Sequence, residues 1–391
     1  MSGTGSGAGV VIGSCDVLVA GGGPAGCTAA LALVRAGADV VIVAPVATAD
    51  WQVGESCAPA ARPLLERLGL LDRVALDGHA PCYGIQAAWG GNGPTEVSQV
   101  FGPYGAGWHL DRGRFDTAFL EAAVAAGASR HAGRIRGIGR REEHWQLTTH
   151  EGGSVRARYL VDATGRPARL ARRLGATLSR SDRLTAVAGL LAARGGAAGS
   201  EHTSLVESTP WGWWYTAPLP GGGQVLMAMT DADLVVDTHL LDRDAWWAQA
   251  QRSSHIRRRI AHLDGPPRQL RVLAAGSSHT CPAAGRGWTA VGDAASATDP
   301  LAARGIVMAL ATGLDAARAI LADHSGDTHA LAAYARRIAA LKQEFLRAQA
   351  AQYRRERRWD AAPFWRRRHQ AFPAAISAWP AGPDDGERIF N

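Results

Sequence analysis

The sequence predicts an α/β fold: a Rossmann-type unit interrupted by an antiparallel sheet and followed by C-terminal helices. Three observations predict it. Asp16-Val-Leu-Val-Ala20, the turn Gly21-Gly22-Gly23-Pro24-Ala25-Gly26, an Ala/Leu run to Arg35 and Ala38–Val43 read as strand, turn, helix and strand. Residues 184–230 read as three apolar runs broken by Gly195-Gly196, Thr209-Pro210 and Gly221-Gly222-Gly223, the punctuation of an antiparallel sheet. Trp288-Thr-Ala-Val-Gly292 returns as a short strand, after which the pattern is mostly helical to about Trp365.

The remaining elements follow in order. Residues 1–13 are Gly/Ser-rich and are expected to form a disordered tail. Pro59, Leu64, Leu65 and Leu68 suggest a short amphipathic helix closed by Gly69. Residues 83–101 alternate as strands around a turn at Gly90–Pro94. A helix is expected from Arg114 to Ala126, a strand over Tyr159–Asp162, and a helix from Trp246 to His262.

Composition narrows the class. With 391 residues, 47% apolar and 20% charged, the chain is globular and long enough for two interleaved domains. No stretch approaches the roughly 20 uninterrupted apolar residues of a spanning helix. The first residues lack the basic and apolar regions of a signal peptide. Five cysteines without a C-x-x-C pair argue against a disulfide framework or a metal site, so a reducing cytoplasm is expected. The net charge of +7 invites a nucleic-acid partner, but Lys342 is the only lysine. An Arg, Ala and Gly bias of that kind reflects GC-rich coding better than phosphate binding, and no nucleic-acid partner is expected.

Gly21-x-Gly23-x-x-Gly26 stands where a dinucleotide fingerprint belongs, after a buried strand and opening a helix. Its glycines permit the tight turn, the approach of backbone to a pyrophosphate, and close helix packing. The acid that usually ends the second strand and binds ribose is replaced by Ala44. Either another group does that work or the cofactor is held less tightly, which suits a flavin that exchanges with solution. Downstream, Asp293 between Gly292 and Ala294-Ala295 is placed to accept hydrogen bonds from a polyol chain. Gly305-Ile306 opens a helix whose free N–H groups and dipole would stabilise a reduced isoalloxazine. Asp299-Pro300 also reads as a plain helix-capping pair.

Taken in order, Gly21–Gly26, Val53-Gly54-Glu55-Ser56, Asp111-Arg112-x-x-Phe115-Asp116, Asp162-Ala-Thr-Gly-Arg166, Gly292–Ala295 and Asp299-Pro300-Leu301 with Gly305-Ile306 resemble the FAD-dependent monooxygenase superfamily that includes the flavin-dependent tryptophan halogenases. His79-x-x-Cys-Tyr-Gly84 with Trp89-Gly90, Gly107–Arg112, Gly212-Trp-Trp-Tyr215, Arg358-Trp-Asp360 and Phe364–Arg368 resemble one branch, flavoproteins that hydroxylate peptide- or protein-bound tryptophan during quinone cofactor maturation. The resemblance runs from about residue 15 to 368. It implies a p-hydroxybenzoate-hydroxylase-like fold, with an FAD-binding domain over 14–78, 104–185 and 272–330. The substrate domain is then 79–103 and 186–271, and 331–391 is a C-terminal helical region and tail. It also implies that Gly21, Gly23, Gly26, Arg112, Asp293, Pro300, Gly305 and Ile306 contact FAD. The flavin, reduced by a partner reductase or by NAD(P)H, reacts with O2 to give a C4a-hydroperoxyflavin.

Halogenases of this kind need a lysine shortly after the Val-Gly-Glu-Ser segment, before a Gly-Ile. The matching residue before Gly84-Ile85 is Cys82, and the halogenase W-x-W-x-I-P motif is altered to Trp213-x-Tyr215-x-Ala217-Pro218. The expected activity is therefore hydroxylation of an aromatic ring, tryptophan in a peptide or protein. The alternatives are halogenation of an indole or phenol, double-bond reduction by the same flavin, and a non-enzymatic nucleotide- or nucleic-acid-binding module. Glu55, His79 and His109 are candidate proton-transfer groups; each histidine also reads as an ordinary core residue. Trp213 and Tyr215 are candidates to stack on the substrate, and Glu207 to hold an indole N–H or a peptide amine. The arginine-rich run over 336–368 reads as solvated helix faces or as a docking surface for an acidic peptide.

Overall fold

The computed structural model describes residues 11–46, 51–91, 93–194 and 201–370. Its main sheet runs in the order Ala284–Gly285, Trp288–Ala290, Ser154–Asp162, Val11–Ala20, Val40–Ala44 and Ser129–Ala132. Val11–Ala20 pairs in parallel with Ser154–Asp162 on one side and Val40–Ala44 on the other. Val17, Leu18 and Val19 are buried, as a parallel strand covered on both faces requires. This strand starts at Val11, inside the segment expected to be tail, because it continues to pair with Ser154 and Val155. Residues 1–10 lie outside the described residues.

The fingerprint helix Pro24–Arg35 packs against the long helix Gly305–His324. Gly313 makes the crossing possible: a Cβ there would stand 2.6 Å from the carbonyl oxygen of Ala25 and 2.9 Å from Thr28. The long helix is strongly apolar, though Asp315, Arg318 and Asp323 interrupt it. With a hydropathy of 1.5 it could cross a membrane by length and composition, but Ile306, Leu310, Leu314 and Ile320 are buried in the core of the main sheet.

A second sheet of seven strands runs Leu270–Ala274, Leu184–Leu191, Gln224–Asp231, Gly212–Pro218, Thr203–Thr209, Gly84–Ala88 and Thr95–Ser98. Residues 184–230 contribute four strands, one more than the three runs expected, because each of the three breaks separates two strands; Gly195-Gly196 lies outside the described residues. Alternation sends Trp214 to one face, with Leu205, Trp246 and Ile256, and Trp213 and Tyr215 to the other. The helix expected over Trp246–His262 is two helices, Arg243–Arg252 and Ser254–Arg259, separated by extended Ser253.

The final helices, Ala330–Arg354 and Pro363–Gln370, close the face that carries Trp213. Trp89, Trp213, Tyr353, Phe364 and Trp365 form one aromatic cluster there. Polar anchors set its position. Trp365 Nε1 donates to the carbonyl of Thr209 at 2.7 Å, and Trp89 Nε1 donates to that of Gln352 at 2.9 Å. Glu356, fully buried, accepts from Ser208, Arg358 and the N–H of Gly90. Arg367 and Arg368 both bond Asp231. Several arginines expected on solvated faces therefore hold the C-terminal segment to the sheet.

Candidate active site

The two sheets meet at a deep cavity. One wall is Gly23–Gly26, Arg112, Arg166, Gly292, Asp293 and the segment Asp299–Ile306; the other is Ala186, Tyr215, Met227, Met229, Leu273 and Ala275. Val53–Ser56 closes one side. Two helix N-termini, at Pro24 and Gly305, open onto it.

The fingerprint glycines have separable duties. Gly21, at φ +122°, could not carry a Cβ without striking the carbonyl oxygen of Ala163. A Cβ on Gly26 would likewise strike the carbonyl oxygen of Gly21. At Gly23 a Cβ meets no protein atom within 4 Å and would project into open space at the cavity wall. That bare backbone beside a helix N-terminus is what a pyrophosphate requires, so the residues fit the phosphates of FAD. Ala44, packed beside Gly22, leaves the end of the second strand without an acid.

Arg112 lines the cavity while holding Asp116 through two bonds of 3.1 and 3.0 Å and donating to the carbonyl of Val53 at 2.7 Å. Asp293 faces Arg166 Nε at 3.4 Å, and burial raises its carboxyl pKa against the pull of Arg166 and Arg112. Pro300, Gly305 and Ile306 line the same wall. Arg166, a motif residue given no role from sequence, ties that wall together by donating to the carbonyls of Gly276 at 2.6 Å and Thr298 at 3.0 Å.

Among the proton-transfer candidates only Glu55 reaches the cavity. It is buried, and its Oε2 accepts the N–H of Gly54 at 3.1 Å. Tyr215 shares the cavity wall with it: the phenol lies 2.8 Å from Ser56 Oγ, which lies 3.4 Å from Ser204 Oγ. Burial, then the Glu55 charge, pushes the Tyr215 pKa well above its usual value, so the hydroxyl keeps its proton. Ser56 was visible in the Val-Gly-Glu-Ser motif, but its partner on a distant strand was not.

The other candidates lie elsewhere. His79 Nδ1 accepts the N–H of Asp111 at 3.1 Å, and the ring packs beside Phe115, outside the cavity lining. His109 is wholly buried behind Ser56, its cross-strand neighbour, and burial first, then the charges of His202 and Arg259, lower its pKa to about 4. Trp213 is not a stacking platform: it is buried in the aromatic cluster, and its Nε1 donates to Tyr353 Oη at 3.1 Å. Glu207 is not a substrate ligand. Strand alternation turns it to the opposite face, where it accepts the N–H groups of His255 and Ile256 at 3.0 and 2.7 Å and caps a helix.

The bracing of the wall at Asp299 has no local signal in the sequence. Asp299, 1% exposed, accepts from Tyr353 Oη at 2.7 Å, from Gln349 Nε2 at 2.9 Å and from the N–H of Leu301 at 2.9 Å. Burial raises its pKa, opposed by the Tyr353 bond.

A family model for tryptophan halogenase matches residues 16–107 and 94–378. The chain belongs to the tryptophan halogenase family. Its members here are flavin-dependent enzymes. The FAD-dependent oxidoreductase LodB of Marinomonas mediterranea is 30% identical over 369 residues, which span 92% of this chain and 98% of LodB. A flavin-dependent halogenase of Armillaria mellea is 26% identical over 409 residues, 93% of this chain and 79% of that protein. Among solved structures, the flavin-dependent halogenase CmlS superposes with a TM-score of 0.80 at 23% identity, covering 91% of this chain and 67% of CmlS. The peptidyl tryptophan dihydroxylase QhpG superposes with a TM-score of 0.72 at 25% identity, covering 91% of this chain and 78% of QhpG. The mixed α/β architecture of this family is therefore present, and FAD is the family's cofactor.

Proposed function

We propose that this family member is an FAD-dependent monooxygenase that hydroxylates an aromatic ring, tryptophan carried on a peptide or protein. The observation that carries it is the position of the only lysine. Lys342 Nζ bonds His279 Nε2 at 2.8 Å, and neither residue lines the cavity. The position matching the halogenase lysine holds Cys82, a buried thiol whose pKa burial raises. The kinship to QhpG, a peptidyl tryptophan dihydroxylase by name, supports the same conclusion.

In this proposal residues 14–78, 104–185 and 272–330 bind FAD, 79–103 and 186–271 bind substrate, and the C-terminal helices cover the substrate sheet. Gly23 and the Pro24 helix would hold the pyrophosphate, Asp293 the polyol chain, and the N–H groups of Gly305 and Ile306 the electron-rich edge of the ring system. FAD supplies, once reduced, the electrons that activate oxygen. The protein's own part is orientation and proton handling. Met227, Met229 and Leu273 give the aromatic ring an apolar wall and exclude water. Tyr215 presents a neutral hydroxyl, and Glu55 is the base that takes the ring proton.

The test is a reaction of reduced FAD, oxygen and a tryptophan-bearing peptide: the peptide gains one oxygen by mass, with none when FAD is omitted. Halogenation is the second possibility, favoured by the named activities of the halogenase relatives. Incorporation of chlorine from chloride in place of oxygen would select it. An unpartnered flavin reductase requirement is checked by NAD(P)H consumption with the isolated protein, which is expected to be slow.

A further inference from the structure

Hydroxylation in a closed cavity has a proton balance. Ring C–H, O2, the reduced flavin monoanion and one proton give ring C–OH, water and oxidised flavin. The ring proton leaves in the water, and one further proton must enter per turnover. Bulk water is excluded while cofactor and substrate fill the cavity, so the protein has to conduct it.

The geometry points to a proton route through Ser204, Ser56 and Tyr215, joining Glu55 in the cavity to the His109 and His202 pair behind it. This inference deepens the proposed monooxygenase function and rests on it. Tyr215 Oη lies 2.8 Å from Ser56 Oγ, and Ser56 Oγ lies 3.4 Å from Ser204 Oγ. Glu55, next to Ser56 in the chain, lies close enough for its charge to raise the pKa of the phenol. Hydroxyls that both donate and accept form a connected row, each able to pass one proton and receive another.

The outer end carries two histidines that the binding site does not use. His109 is the cross-strand partner of Ser56, on the same face of its small sheet. It is wholly buried, with both ring nitrogens unbonded among the described residues. His202 precedes Ser204 by two residues, and its Nδ1 is likewise unbonded there. Its ring packs 5.1 Å from that of Tyr83, which is 43% exposed. Unsatisfied buried nitrogens cost stability, and a core built only for packing would carry apolar side chains here. Arg259, bonded to Thr203 and Gln86, holds positive charge nearby and favours a neutral His109 ring that relays rather than stores the proton.

The experiment mixes protein loaded with reduced FAD against oxygen in weak buffer with a pH indicator dye, with and without a tryptophan peptide. Either outcome of the chemistry consumes one proton, since oxygen reduction to hydrogen peroxide without peptide does so too. In the wild type, proton uptake is expected to keep pace with flavin oxidation. Ser204→Ala, which lies outside the cavity lining, is expected to slow both about tenfold and to enlarge the solvent deuterium isotope effect, with FAD affinity unchanged. Ser204→Thr, which keeps the hydroxyl, is expected to restore both, and His202→Gln to slow them like Ser204→Ala. Wild-type uptake rates and isotope effects in Ser204→Ala and His202→Gln would overturn the route. Peroxide without peptide oxidation would overturn the proposed function while leaving the route tested.

Discussion

Lys342 Nζ lies 2.8 Å from His279 Nε2, and that contact keeps the only ammonium of a lysine in this chain away from the cavity. Burial, then the neighbouring Lys342 charge, lowers the His279 pKa, so the imidazole is a neutral acceptor. Lys342→Met is therefore expected to leave oxygen incorporation within about twofold of wild type, by mass spectrometry of the peptide. A loss beyond tenfold, about 1.4 kcal/mol in the barrier, would place the amine among the reacting groups.

Gly21 and Gly23 separate fold from cofactor. Gly23→Ala introduces a methyl that meets no protein atom; the melting temperature should not change, while FAD affinity falls about tenfold or more, about 1.4 kcal/mol. Gly21→Ala should instead destabilise the apoprotein by roughly 2 kcal/mol or more, because φ is +122° and Ala163 blocks the methyl. Thermal unfolding and flavin fluorescence titration of the pair check both. Unchanged flavin affinity in Gly23→Ala would remove the glycine turn from the cofactor site.

His109 makes stability depend on acid. Its pKa is about 4 in the folded protein against an ordinary 6.5, so below pH 6.5 the unfolded chain binds a proton that the native chain does not. Stability should fall from pH 6.5 down to about 4, by about 3 kcal/mol, and level off below. His109→Gln should flatten that part of a urea-denaturation series against pH.

The Glu356 carboxyl is shifted in the same direction but for a different reason. Burial works to raise its pKa, but bonds from Arg358, Ser208 and Gly90 hold it down at about 2. Its contribution is complete above the ordinary value of 4.5 and disappears as pH falls toward 2. Glu356→Gln should cost about 3 kcal/mol at pH 7, with the gap to wild type closing in acid. A gap independent of pH would show that packing, not charge, is what the substitution removes.

Trp213 and Tyr215 sit two residues apart on one strand face yet should fail differently. Trp213→Phe loses the bond to Tyr353 and is expected to cost about 1 kcal/mol of stability without moving KM for the peptide. Glu207→Gln should do the same through its helix cap. Tyr215→Phe is expected to lower kcat at least tenfold with little change in melting temperature.

Local signals carried the cofactor side. Gly21–Gly26 is dictated by one strand, one turn and one helix, so its residues are neighbours in sequence as in space. Arg112, Asp293, Pro300, Gly305 and Ile306 line the cavity where the motifs placed them. The substrate side was less legible because its contacts join strands far apart in the chain. Ser56 meets Tyr215 across 159 positions, and nothing local announces it. Residue type alone named Trp213, Tyr215 and Glu207, but not which of them face the cavity. Trp213 was lost to the aromatic cluster because Trp89 and Trp365 arrive from segments more than a hundred residues away. His109 and His79 have the right chemistry, but burial and strand pairing put them behind the wall.

Tyr353 grips Asp299 from behind, and Asp299 begins the turn at the cavity wall. The helix Ala330–Arg354 is thus a handle on that wall. Anything that shifts this helix pulls on the loop that carries Pro300. Substitutions along Ala330–Arg354 deserve the same controls as a substitution in the proposed FAD site.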